Sequence, residues 1–79
     1  MKEQDIHLRI IAEYGRATRL HPKWPKNKYE ALAIIMEEVG ELAQAILDAE
    51  YRNADPENIK TEAIQVGAMI IRFLVNLKR

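Results

Sequence analysis

The stretch Ile34–Ile46, "IIMEEVGELAQAI", sets three glutamates among aliphatic residues. On a helix of about 3.6 residues per turn, Glu38 falls between Ala31 and Ala45, flanked by Ile34 and Leu42, and so lies inside the apolar stripe. Glu41 sits at the edge of that stripe, and Glu37 shares the polar side with Glu30, Gln44 and Asp48. A carboxylate set into an apolar face bears a desolvation cost and repels any like neighbour, so a positive partner is required. The helix that carries it begins near Asn27, where Asn27 and Glu30 have the spacing of a capping box, and runs to about Arg52.

A second helix repeats the pattern. After the short connection "RNADPEN", Asp55 is a good N-cap and Pro56 suits a first helical position, which predicts a helix from about Pro56 to Leu77. There Glu62 falls between Met69 and Phe73, again in an apolar face, while Gln65 lies beside Arg72 and Asn76. The short connection predicts an antiparallel hairpin of these two helices. Upstream, Ile6, Ile10, Tyr14 and Ala17 at helical spacing predict a first helix from about Glu3 to Arg19, with Gly15 as a weak point. "HPKWPKNK" then forms a loop, because Pro22 and Pro25 remove backbone donors and hold His21 and Trp24 extended. The fold class is therefore all-α, an antiparallel bundle of three helices per chain in a single domain over residues 1–79.

With 79 residues, such a domain buries only about 60% of the surface its unfolded chain exposes. Twelve basic and twelve acidic side chains cancel, which argues against bulk attraction to nucleic acid or an anionic membrane. The chain has no cysteine, so disulfides and thiolate metal sites are excluded, and a reducing cytoplasm suits it. "MKEQDIHLRI" has no signal-peptide character and no apolar run approaches a membrane span, so the expected setting is soluble and cytoplasmic.

If the hairpin packs as predicted, Glu38, Glu41 and Glu62 converge in one cleft. Two kinds of compensation are open. A divalent cation, Mg²⁺ or Mn²⁺, prefers carboxylate oxygen and keeps waters for a substrate phosphate. Alternatively Arg72, Lys60 or Arg52 pairs with the glutamates in a structural ion network. Around the cleft, Trp24 can stack on a nucleobase or cap the core. Lys23, Lys26 and Lys28 can meet a phosphate chain or lie in solvent, and Arg72 and Asn76 are placed for phosphate or ribose contacts. His7 and His21 lack a partner at ligand spacing.

"EEVGE" at 37–41 and "EAIQ" at 62–65, with 20 residues intervening, resemble the EExxE…ExxD signature of the MazG-like all-α nucleoside triphosphate pyrophosphohydrolases. The likeness extends from about Trp24 to Leu77. It implies Mg²⁺-dependent cleavage of a nucleoside triphosphate to the monophosphate and pyrophosphate, commonly of non-standard nucleotides. By position it implies that Glu38, Glu41 and Glu62 ligate metal, and that Glu37 orients or deprotonates the attacking water. Gln65 stands where the family pattern has aspartate, so the fourth ligand is a neutral amide, and metal affinity should fall. That departure favours the alternative of a weakened relative that binds nucleotide or protein without turnover. The chain also ends at Arg79 without the fourth helix usual in that family, and the apolar residues of the last helix, from Ile59 to Leu77, wrap nearly all round it. Both features predict a homo-oligomer, dimer or tetramer, that completes the bundle.

Overall fold

Asn27 fixes where the central hairpin begins. In the computed structural model of the chain, which describes residues 1–77, its Oδ1 accepts from the backbone N–H groups of Tyr29 at 2.8 Å and Glu30 at 3.3 Å. Two otherwise unpaired donors are thereby satisfied at the start of helix α2, Lys28–Tyr51. At its far end the N–H groups of Arg52 and Ala54 both reach the Asp48 carbonyl. Asn53 between them adopts the left-handed conformation, φ 59°, which asparagine tolerates better than most residues. Helix α3, Glu57–Asn76, is capped as expected by Asp55, whose Oδ1 accepts from the Glu57 N–H at 2.9 Å. Helix α1, Glu3–Leu20, runs unbroken through Gly15, with Glu3 and Asp5 in its first turn and Arg19 in its last, the arrangement that complements the helix dipole. No strand occurs among the described residues, so the all-α expectation holds, and each helix boundary lies within a residue of the predicted one.

Helices α2 and α3 are antiparallel: Ala31 lies beside Phe73 and Asn76 at one end, Asp48 beside Asn58 at the other. Helix α1 packs on α3 in the same sense as α3 itself, with Ile10 against Gly67 and His21 against Arg72. A Cβ at Gly67 would stand 2.9 Å from Ile10 Cδ1, so the absence of a side chain there lets the two helices approach. Helices α1 and α2 each pack on α3 and not on one another. The result is a groove with α3 as its floor and α1 and α2 as its walls.

The core is small. Ala17, Ile35, Ala68 and Met69 are buried together, with Tyr14, Trp24, Ile34 and Phe73 packed around them. Helix α3 buries Ile64, Ala68 and Met69, but Leu74 and Val75 are each 64% exposed and Ile70 42%. The apolar ring read from its sequence is thus covered on two sides by α1 and α2 and left bare on the rest within one chain. No helix of the described residues is long and apolar enough to cross a membrane.

Candidate metal centre and adjoining cavity

The antiparallel register brings Glu38 and Glu41 of α2 against Glu62 of α3. One carboxylate oxygen from each lies within 4.8 Å of the other two. Glu38 and Glu62 are half-buried and Glu41 is exposed, so the cluster opens to water on one side. Burial, first, and then the negative charges of Glu41 and Glu62, a hydrogen bond with Glu41 and the charge of Glu37 hold the Glu38 carboxyl above its ordinary pKa. Glu62 is raised too, by burial, by the charge of Glu41 and by a hydrogen bond with it. A cation placed among these groups would remove both the repulsion and part of the desolvation cost.

No lysine or arginine among the described residues supplies it. Among the described residues, the ion pairs are Arg16 with Glu13, Arg52 with Asp48, and Lys60 with Glu57. The structural network imagined for Arg52, Lys60 and Arg72 is therefore absent: the first two find partners within one turn of their own helices. Arg72, 5% exposed, turns away from the carboxylates. Its Nη2 donates to the carbonyl oxygens of His21 and Lys23, and its guanidinium lies 4.9 Å from the centre of the Trp24 ring. It braces the proline-bounded loop onto α3.

Gln65 completes the cluster. Its side-chain amide faces Glu62 and Glu38, and with its NH₂ turned toward them it donates to Glu62 Oε2 at 3.1 Å and Glu38 Oε2 at 3.3 Å. The opposite rotamer of the same amide puts its oxygen there, making four oxygen donors from two helices, a set that suits a hard divalent cation. The residues present therefore fit Mg²⁺ or Mn²⁺. Glu37 is exposed, outside the triad but near enough for its charge to act on Glu38.

Two openings flank the cluster. One, lined by Glu41, Gln44, Ala45, Asp48, Asn58 and Glu62, lies toward the α2–α3 connection. The other, about 280 Å³, occupies the groove between α1 and α2. Its polar lining includes Glu38, Gln65, Arg72 and Glu13, and Trp24, Ile34 and Met69 belong to its apolar lining. Of the substrate-contact candidates, Trp24 and Arg72 thus share a cavity with two cluster residues. Lys28 and Asn76 do not: they line a separate pocket with Pro25, Lys26 and Phe73, and Asn76 Nδ2 donates to the Arg72 carbonyl at 2.8 Å. Trp24 takes the core-capping role, with the Arg72 guanidinium against its ring.

Glu13 was not singled out from sequence. It lines the cavity from α1, paired with Arg16 through Oε1 at 2.8 Å and Oε2 at 2.7 Å. The signal existed: Glu13 follows Ile10 by three residues and precedes Ala17 by four, which puts it on the apolar face of α1, as Glu38 is on that of α2. No family model, curated protein or solved structure matches this chain.

Proposed function

We propose that the chain is a Mg²⁺-dependent nucleoside triphosphate pyrophosphohydrolase of MazG-like type. The observation that carries this is the convergence of Glu38, Glu41 and Glu62 from two helices, closed by Gln65, with no lysine or arginine among the described residues paired to them. Four oxygen donors open to water on one side suit an ion that must keep coordination positions for phosphate. Bound there, Mg²⁺ or Mn²⁺ supplies neutralisation of charge on the triphosphate oxygens. The chain's own residues do the rest. Glu38, Glu41, Glu62 and Gln65, held by packed helices, would hold that ion, since carboxylates repel a phosphate chain and would meet it only through a cation. Glu37, solvated and adjacent, orients the attacking water and accepts its proton. Arg72 keeps Trp24 and the loop in place so that the groove beside the cluster stays formed.

The bare apolar surface of α3, with Leu8 and Ile11 of α1 also exposed, supports a homo-oligomer as the working form, since a patch of that kind on a monomer is an association surface. A cytoplasmic setting goes with nucleotide hydrolysis. The second reading, a relative that binds nucleotide without cleaving it, is favoured by one feature, the neutral Gln65.

The test is pyrophosphate release from a panel of standard and modified nucleoside triphosphates with millimolar Mg²⁺ or Mn²⁺. Weak but measurable release is expected, abolished by chelator and reduced on the order of a hundredfold or more in Glu38→Gln. No release from any member, with nucleotide still bound, would leave the binding module in place of the hydrolase.

A further inference from the structure

The groove between α1 and α2 carries a second kind of chemistry, distinct from the carboxylate cluster at its edge. Its apolar walls are Ala17, Trp24, Ile34 and Met69. At about 280 Å³ it has room for a planar ring system. Glu13 of α1 lines it together with Glu38 of α2 and Gln65 of α3, and is a residue that the proposed hydrolysis does not use. The Arg16 guanidinium grips both oxygens of Glu13 and, chiefly through that hydrogen bond, holds its carboxyl below the ordinary range. Glu13 is therefore an ionised group that accepts hydrogen bonds and cannot donate one.

A carboxylate offers about four lone-pair sites, and a two-pronged arginine takes two of them end-on. The sites left on Glu13 lie to the sides, one per oxygen, so they meet one N–H donor at a time rather than a parallel pair. An exocyclic amino group satisfies that geometry. The guanine edge, with two adjacent donors, loses its parallel two-point pairing there, because Arg16 already fills that face. A carbonyl oxygen in the same place would meet the carboxylate lone pair to lone pair. Beside an amino group, cytosine and adenine carry a ring nitrogen that needs a donor, and Lys23 and His21 line the same cavity.

We propose that this groove is the base subsite of the nucleotide, and that Glu13, held by Arg16, selects bases with an amino group next to a ring nitrogen, cytosine and adenine, over their deaminated counterparts. The assignment rests on the nucleotide reading above and adds to it a residue of α1 outside the carboxylate motif.

The test needs neither metal nor turnover. Binding of dCMP against dUMP, and of AMP against IMP, is measured in chelator by titration calorimetry; each pair differs at the position Glu13 reads. The amino member of each pair should bind tighter by about tenfold or more, the range for a hydrogen bond to a charged group. Glu13→Gln, whose amide can donate to a carbonyl, should erase or invert both preferences. Arg16→Gln, on an exposed side chain, frees the carboxylate from its clamp and should weaken them several-fold, and it carries the same test if Glu13→Gln does not fold. Equal binding within both pairs, preferences that neither variant alters, or no binding of any of the four would overturn the proposal. Failure of the hydrolase reading looks different: amino-selective binding with no pyrophosphate release from dCTP or ATP. Equal release from dCTP and dUTP, by contrast, would keep the hydrolase and sink the base subsite.

Discussion

Gln65 does two jobs that pull against each other. With its NH₂ toward Glu62 and Glu38 it ties two carboxylates together, and with its oxygen toward them it would offer a neutral donor to a cation. Gln65→Asp replaces a donor by a fourth negative charge, so two opposite effects are expected on one protein. In chelator the melting temperature should fall, because the brace is lost and repulsion grows. With Mg²⁺ it should rise above that of the wild type, because binding to the folded state alone stabilises it. A Gln65→Asp protein that melts as the wild type does under both conditions would remove Gln65 from the cluster. The same carboxylates give the metal-free chain a pH dependence. Glu38 and Glu62 titrate above their ordinary value of 4.5 when folded, so between that value and the raised one the folded state binds more protons than the unfolded. Stability from this pair is then highest below 4.5 and is lost as pH rises through the raised values. Glu13, lowered by Arg16, acts in the opposite direction. The contribution of Glu38 is isolated by comparing wild type with Glu38→Gln, whose melting temperature should fall less steeply from acid to neutral pH. At this scale the sequence displayed the carboxylate cluster, since a glutamate inside an apolar stripe is visible from spacing alone. It did not display the partner of Arg72, which depends on where the proline-bounded loop lands, and loop paths are not written in periodicity.

Among the elements, the α1–α3 contact is the most sensitive to volume. A methyl group at Gly67 would lie 2.9 Å from Ile10 Cδ1, 3.2 Å from Cγ1 and 3.3 Å from Cγ2. Three close atoms of one β-branched side chain cannot all be relieved by a single rotamer change. Gly67→Ala gains about 1 kcal/mol in helix propensity but should cost about 1–3 kcal/mol in overpacking, for a net loss that Ile10→Ala in the same chain relieves. Gly15→Ala meets nothing within 4 Å and should stabilise α1 by about 1 kcal/mol. Denaturant melts of the three variants check this, and a Gly67→Ala protein stabilised as much as Gly15→Ala would mean that α1 sits farther from α3. The capping residues Asn27 and Asp55 and the apolar spacings made all three helices readable from sequence. The packing order was not readable, because the apolar faces of α1 and α2 both suit α3 and nothing in their spacing says whether they also meet each other.

For the whole molecule, the exposed Leu74, Val75 and Ile70 of α3 and Leu8, at 68%, of α1 set the expectation of self-association. Sedimentation at micromolar concentration should give at least a dimer, and Leu74→Lys with Val75→Glu should shift it toward monomer. A monomer of cooperative unfolding in the wild type would dismiss the oligomer. The groove has a further consequence for how the chain holds itself together. Helix α1 is attached through a single neighbour, so it can lift away at a lower cost than the α2–α3 hairpin can separate, in the manner of a sub-global opening. A molecule lodged between α1 and α2 would touch all three helices and stand where a fully packed bundle would have side chains. Such a guest behaves as a piece of core that arrives by diffusion, and its departure returns α1 to its looser tether.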